Sequence, residues 1–437
     1  MTTGLSLSPA IGRLAGWLRR WAPVLPLLVA EFILWTGFGA LLPVMPLYST
    51  EHGVDVAFLG VVIAAWPAAR LFTEPLFGRL ADRTARVPLM VIGLVVAATS
   101  IGAMAVWTAP AAFIGLRALS GLGTALYDPA ARGYLADAAP PERRGEAFGL
   151  YNAAQMVGIL LGPAIGGLGT ALVGGYAFVL ALGAVTTAAA AIAVALRVPE
   201  LHVRHQPSIP ASSLVEFPGD PGGDLGHEVA SRRPGPDARV APAPASLRNR
   251  FITTAILVNV GNYFGGGLYE TIWALFVTNH GGSVALIGLT FATFGLVTIL
   301  LSPFAGRAVD RRGPLPFVIL GLLVTAGTMA LYPLVAEPLV YVPLVALDAV
   351  GFAFLGPATY MVIARGTPVG RSSSAQGLAG AAGTFGTIVA SLATGVLAAR
   401  SLDVPFFVGS AVVFSMLLIT LVVGGRALRS MRPAAPA

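Results

Sequence analysis

Five ionisable residues lie deep inside apolar stretches of this 437-residue chain: Glu31, Arg70, Arg117, Glu270 and Asp348. A charge at the centre of a hydrocarbon layer costs about 2.5–3.5 kcal/mol. Left unpaired, the five would cost about 12–17 kcal/mol together, comparable to the ~5–15 kcal/mol net stability of a typical domain. They must pair or line a wet cavity. The chemistry open to them is ion pairing and proton exchange, because an acid in an apolar cavity favours its neutral form and can trade a proton as its access to water changes.

Other chemistries are poorly supplied. There is no cysteine, which excludes disulfides and thiolate metal sites, and the five histidines (His52, His202, His205, His227, His280) fall in loops or in a polar linker. All 27 basic residues are arginine. A phosphate-binding loop of the Walker type needs a lysine, as does Schiff-base chemistry, so ATP-driven work by this chain alone is disfavoured. A membrane-embedded transferase would need a His/Asp, metal or nucleotide constellation within the spans, and none is present.

The elements that must position the five charges follow from composition. The chain is 56% hydrophobic and only 11% charged, with mean hydropathy +0.80, and stretches of the ~20 residues needed to cross a bilayer succeed one another from Pro23 to Leu428. About twelve spans are expected. Arg13, Arg19 and Arg20 precede the first, which lacks a small-residue cleavage site and reads as a retained span. Arginines then recur in alternate loops: Arg79, Arg83 and Arg86, then Arg143 and Arg144, then Arg311 and Arg312, then Arg371, and finally Arg426, Arg429 and Arg432. The intervening loops are nearly free of them, Arg400 excepted. That asymmetry places both termini in the cytoplasm and explains the formal charge of +7 without nucleic acid. The segments are then a cytoplasmic N-terminus (1–21), a six-span bundle (22–197), a proline-rich, disordered cytoplasmic linker (198–249), a second six-span bundle (250–429) and a cytoplasmic tail (430–437).

The two bundles are copies. At an offset of 228 residues, Gly78, Arg79, Asp82 and Arg83 recur as Gly306, Arg307, Asp310 and Arg311; His52-Gly53 recurs as His280-Gly281, and Pro75, Pro88, Pro129 and Pro140 as Pro303, Pro316, Pro357 and Pro368. Identities gathered at Gly and Pro mean that backbone geometry is what the halves share, as in parallel repeats about an axis along the membrane normal. The five buried charges are not repeated: Glu31 maps to Asn259, Arg70 to Thr298, Arg117 to Val345, Glu270 to Leu42 and Asp348 to Ser120. Function belongs where the halves differ.

These features resemble the major facilitator superfamily. Gly78 to Pro88 resembles its motif A, echoed at Gly306 to Pro316. Arg117, in the stretch Leu116 to Gly123, resembles motif B, with Ser120 where a glutamine is common. Gly158, Gly162, Pro163, Gly166 and Gly167 resemble motif C of the drug/proton antiporter branch, and Leu42-Pro43-Val44-Met45-Pro46 resembles that branch's first-span pattern. The resemblance implies an all-α integral membrane protein, about twelve transmembrane helices in two six-helix bundles related by a parallel pseudo-two-fold. It also implies a proton-coupled exporter of lipophilic or amphipathic small molecules, working by alternating access as multidrug efflux antiporters do. No cofactor is expected beyond the proton gradient. The partners would be the lipid bilayer, a small-molecule substrate and protons, with no nucleic acid, for a monomer in the plasma membrane, a bacterial inner membrane. An importer or facilitator of a nutrient on the same fold is the alternative, and a membrane-embedded enzyme a more distant one.

Residue roles follow with different warrants. Gly158, Gly162 and Gly166 share one helix face, where a neighbouring backbone can approach closely, and Pro163 removes a ladder hydrogen bond. Asp82 is placed to face the start of the eleventh span at Ser372–Ser374, and Asp310 the start of the fifth near Glu146, as cytoplasmic latches. The resemblance puts Glu31, Arg117, Glu270 and Asp348 around the central cavity and nominates Glu31 with Arg117 as the proton-coupling pair. Depth, at ~1.5 Å per residue, instead sets Glu31 level with Arg70 on one side and Arg117 level with Glu270 and Asp348 on the other. Three pairings therefore stand: Glu31 with Arg117, Glu31 with Arg70, or Glu270 or Asp348 with Arg117. Trp35, Phe38, Tyr127, Tyr151, Tyr263, Phe264, Tyr269, Trp273 and Tyr360 are candidates for an aromatic, cation-tolerant pocket.

Overall fold

A computed structural model describes residues 21–81, 83–139, 144–173, 175–200, 246–368 and 372–431, and among them regular structure is entirely helical. The first span is two helices, α1 (Leu25–Leu41) and α2 (Met45–Glu51). The others are α3 (Val56–Ala81), α4 (Arg86–Val106), α5 (Pro110–Ala138), α6 (Arg144–Val173), α7 (Ala177–Arg197), α8 (Arg250–Asn279), α9 (Val284–Arg312), α10 (Leu315–Leu331), α11 (Tyr341–Gly366), α12 (Ser372–Ala398) and α13 (Val404–Arg429). Among the described residues nine helices are long and apolar enough to cross a membrane, ten if α1 and α2 count as one span bent by 46°. The remaining two, α5 and α8, have the length but carry polar residues inward, Arg117 and Asp128 on α5 and Asn259 and Glu270 on α8. With them the twelve expected spans are present as helices. Residues 1–20, most of the expected linker (201–245), Asp82, Arg143, Arg371 and the last residues from Arg432 lie outside the described set.

The bend in the first span comes from Pro43, which has no N–H to continue the ladder; the chain steps over it with bonds from Leu42 N to Gly39 O and from Val44 N to Leu41 O. Its counterpart in the second half is Thr271, and α8 runs unbroken. Elsewhere the repeat is visible in detail. Gly53 and Gly281 take left-handed φ values of 83° and 81° to stop the first span of each half. The preceding His52 and His280 each place Nδ1 2.9 Å from a carbonyl one turn back.

Helix ends sort by face. One face carries Arg79, Arg83, Arg86, Arg197, Arg250, Arg311, Arg312, Arg426 and Arg429 and is called here the arginine face. Within each bundle, glycines bring helices to backbone contact. Cβ atoms built at Gly158, Gly162 and Gly166 on α6 would stand 2.6, 2.4 and 2.4 Å from the Phe32, Thr36 and Ala40 carbonyl oxygens of α1. Pro163 leaves the Ile159 carbonyl without its helical donor, and that oxygen lies against Gly39, where a Cβ would be 2.7 Å away. The second half does the same with α12 and α8, where Gly386 meets Val260 O and Gly267 meets Thr387 O. The close-approach face is therefore shared by both halves, and only the proline is peculiar to the first. Gly162→Val would put its side chain among three backbone atoms of α1 within 2.6 Å. Backbone cannot rotate aside, so a loss at or beyond the upper end of the usual ~1–3 kcal/mol overpacking range is expected, read as a lowered melting temperature in detergent.

Between bundles the contacts gather away from the arginine face. Gly60 of α3 packs on Ser391 and Gly395 of α12, Gly167 of α6 on Gly288 of α9, and Gly295 on Leu160. Leu47 of α2 enters the apolar core of the second bundle. Toward the arginine face the equivalent glycines Gly149, Gly306 and Gly377 meet open space, and Phe72, Leu76, Tyr263 and Tyr360 are exposed. Among the described residues the bundles are closed at the opposite face and parted at the arginine face.

Candidate functional site

The charges fall into three groups. In the first bundle, Arg70 bonds Asp128 and sits 3.1 Å from Glu74. Arg132 lies 3.7 Å from Glu74 and 3.8 Å from Asp128, and the Arg70 guanidinium stacks 4.7 Å over the Trp66 ring. Two cations and two anions neutralise one another here. The i,i+4 spacing of Arg70 with Glu74 and of Asp128 with Arg132 builds the square from two helices, α3 and α5. Arg70 is thus committed to Asp128 and Glu74, and its pairing with Glu31 is corrected.

Glu31 is fully buried. It accepts from Trp35 Nε1 at 2.8 Å and from Tyr127 Oη at 2.6 Å, and it makes no ion pair among the described residues. Its pairing with Arg117 is not what the structure shows. Asp348 is likewise buried and accepts from Thr325 Oγ1 at 2.7 Å inside the second bundle. Each of these acids is held by uncharged donors within its own bundle.

The third group joins the bundles. Arg117 Nη2 of α5 donates to Glu270 Oε1 of α8 at 3.2 Å, the one ion pair between the halves among the described residues. The pair lines a small cleft with Phe38, Leu41, Leu42, Met45 and Ile63. The bend at Pro43 shapes its wall, because Leu42, on the bend, occupies the place in the first half that Glu270 occupies in the second. Arg117 is almost wholly buried, its side chain 5% exposed, whereas Glu270 is 21% exposed. Only one bond ties them, and the buried Arg117 Nε has no acceptor among the described residues. Of the three pairings left open by the sequence, Glu270 with Arg117 is the one formed.

The aromatics divide. Phe38 lines the cleft and touches both Trp35 and Trp66 at 5.0 Å between ring centroids. Tyr127 and Tyr151 are buried around Glu31, while Trp273 packs with Tyr332, Tyr341 and Phe406 and donates to Thr290 at 3.0 Å. These three belong to the bundle interiors, which corrects their placement in a pocket. Tyr263 is exposed on α8 toward the arginine face, against Gly383. Trp66 was missed; its signal was the four-residue spacing to Arg70.

In the loop motifs, Gly78 faces Pro129, whose Cβ would lie 3.8 Å from a Cβ built at Gly78. Arg83, Asp310 and Arg311 are exposed, and Asp310 makes no ion pair among the described residues. The first latch involves Asp82, outside the described residues. The motif's last arginine, Arg86, bonds Asp137, and Glu200 accepts from the Arg86 and Val87 amides at 3.0 and 2.9 Å, closing the start of α4.

Two repeated helical bundles that meet at a charged cleft suit alternating exposure of one site to two membrane faces, and the family match makes this a transporter and not an enzyme. The chain belongs to the Major Facilitator Superfamily, whose sequence profile matches residues 27–261 and 255–436. An uncharacterised MFS-type transporter, MJ1560 of Methanocaldococcus jannaschii, is 22% identical over 85% of this chain and 89% of its own length. The quinolone resistance protein NorA of Staphylococcus aureus is 29% identical over 31% of this chain and 35% of NorA, and multidrug resistance protein 2 of Bacillus subtilis is 29% identical over 39% and 44%. Among solved structures, a POT family transporter in complex with 5-aminolevulinic acid matches with TM-score 0.70 at 12% identity, covering 92% of this chain and 96% of that one. A bacterial homologue of the human lysosomal transporter Spinster, described as inward-facing and unoccupied, matches with TM-score 0.63 at 16% identity, covering 95% and 98%.

Proposed function

We propose that this transporter is a proton-coupled exporter of lipophilic or amphipathic small molecules, acting as a monomer by alternating access, with Glu270 carrying the coupling proton. The observation that supports this best is the Arg117–Glu270 pair, which ties the two bundles together in an apolar cleft through its more accessible acid. In the unloaded protein the pair holds the opposite face shut. A proton on Glu270 removes one partner, and so does a cationic group of a substrate. Either event frees the bundles to rock, and both cannot occupy Glu270 at once, which is the exclusion antiport requires. Glu31 and Asp348, enclosed within single bundles, do not report on the junction.

The arginine asymmetry supports an orientation with the open, arginine face toward the cytoplasm of a prokaryotic plasma membrane, where an exporter loads. Asp310, which makes no ion pair among the described residues, fits a latch that forms only when that face closes. The drug-resistance names of two relatives agree with export, over part of their length.

The test uses inside-out membrane vesicles with an acidic interior. Wild type should accumulate a lipophilic dye against its gradient. Glu270→Gln should lose that uphill accumulation, by tenfold or more, while downhill exchange persists. No gradient-driven accumulation in wild type, or full accumulation in Glu270→Gln, would overturn the reading.

A further inference from the structure

The geometry points to a substrate that carries an anion and a cation on one ring-bearing body, a zwitterion that replaces the Arg117–Glu270 pair with two ligand contacts; this rests on the antiport reading above. The asymmetry between the partners is the reason. Glu270 can be neutralised by a proton, but an arginine keeps its charge at any accessible pH. Arg117 is the more deeply buried of the two, its Nε already lacks an acceptor among the described residues, and Phe38, Leu41, Leu42, Met45 and Ile63 around it are apolar.

Three substrate charges can be compared. A plain cation on Glu270, like a proton there, would strip Arg117 of its only bonded partner and leave a buried guanidinium unpaired, so it binds less tightly than a ligand that also satisfies Arg117. A plain anion on Arg117 would displace Glu270, which then takes up a proton; substrate and proton would bind together, and the coupling would be symport. A zwitterion satisfies both groups, its anion on the Arg117 fork and its cation on the Glu270 carboxylate. It also keeps the proton off Glu270, preserving exchange. Phe38, which lines the cleft and touches the Trp35 and Trp66 rings at 5.0 Å between centroids, suits a flat hydrophobic body.

A matched set of fluorescent probes separates the cases: Nε-dansyl-lysine, a zwitterion; its methyl ester, a cation; and its Nα-acetyl derivative, an anion. Binding to the purified full chain is read by dansyl fluorescence, and accumulation in acid-interior inside-out vesicles by the same signal. The zwitterion is expected to bind at least tenfold more tightly than either derivative and to accumulate. In Arg117→Gln its advantage over the ester should vanish, while Glu270→Gln should remove its advantage over the acetyl derivative. The wild-type comparison does not depend on either variant folding. Equal or tighter binding of the ester, or no binding by any of the three, overturns the zwitterion assignment. Tight zwitterion binding with uptake driven by protons moving the same way would leave the charge class standing and overturn antiport instead.

Discussion

Asp128→Ala is expected to destabilise the protein by about 3–5 kcal/mol, the range for removing one partner of a buried ion pair. Asp128 is the most buried member of the square with Arg70, Glu74 and Arg132. Without it two guanidiniums share the single carboxylate of Glu74, and Arg70, only 12% exposed, stays largely out of water. Arg132 is the exposed corner, 49% accessible. Deleting it as well leaves Arg70 with Glu74 as a neutral pair, so Asp128→Ala/Arg132→Ala should recover most of the loss. Thermal unfolding in detergent measures both. Additive losses in the double variant would mean that the square is not a coupled unit.

Gly60→Val is expected to change which face is open and to leave fold stability nearly untouched. A Cβ at Gly60 would stand 2.1 Å from the Ser391 carbonyl oxygen, with Gly395 N at 3.2 Å. That contact joins the bundles and must part in any cycle that opens the opposite face, unlike the contact at Gly162, which lies inside one bundle and persists in every state. A clash of about 3 kcal/mol at the closed junction moves the equilibrium roughly 100-fold toward the state open at the opposite face. The chain has no cysteine, so Leu47→Cys, at a side chain of the first half that enters the second bundle's core, gives a clean probe. Its alkylation should be slow alone, since Leu47 is buried, and at least tenfold faster when combined with Gly60→Val. Unchanged labelling together with a large drop in melting temperature would show that the junction is part of the rigid fold.

Much of this architecture was legible in the residues because it depends on one-dimensional features. The 228-residue offset recovers both bundles, since Gly and Pro dictate backbone geometry wherever they fall, and the matched stops at Gly53 and Gly281 bear that out. The close approach of α6 to α1 follows from three glycines on one face. Depth counting separated Glu31 from Arg117 correctly, but it could not decide among partners at equal depth. Arg70 was level with Glu31 and yet turned to Asp128, because helix rotation, not height, selects the neighbour. The same limit misplaced Tyr127 and Tyr151, level with Glu31, and Trp273, one turn from Glu270; all three point into bundle cores. The offset held a further clue: it sets Glu270 opposite Leu42, beside Pro43, where a proline bend in one half faces a carboxylate in the other. The charged cleft forms at that mismatch.

The central claim is that proton and substrate exclude each other at Glu270. The direct measurement is the affinity of the purified protein for a transported fluorescent ligand as a function of pH. By reciprocity, a proton that competes with substrate must weaken it, so affinity should fall as pH drops through the titration of Glu270, approaching tenfold per pH unit, and should be flat in Glu270→Gln. Affinity that rises as pH falls would mean that proton and substrate load together, and a pH dependence unchanged in Glu270→Gln would place the coupling elsewhere; either result contradicts antiport through this pair.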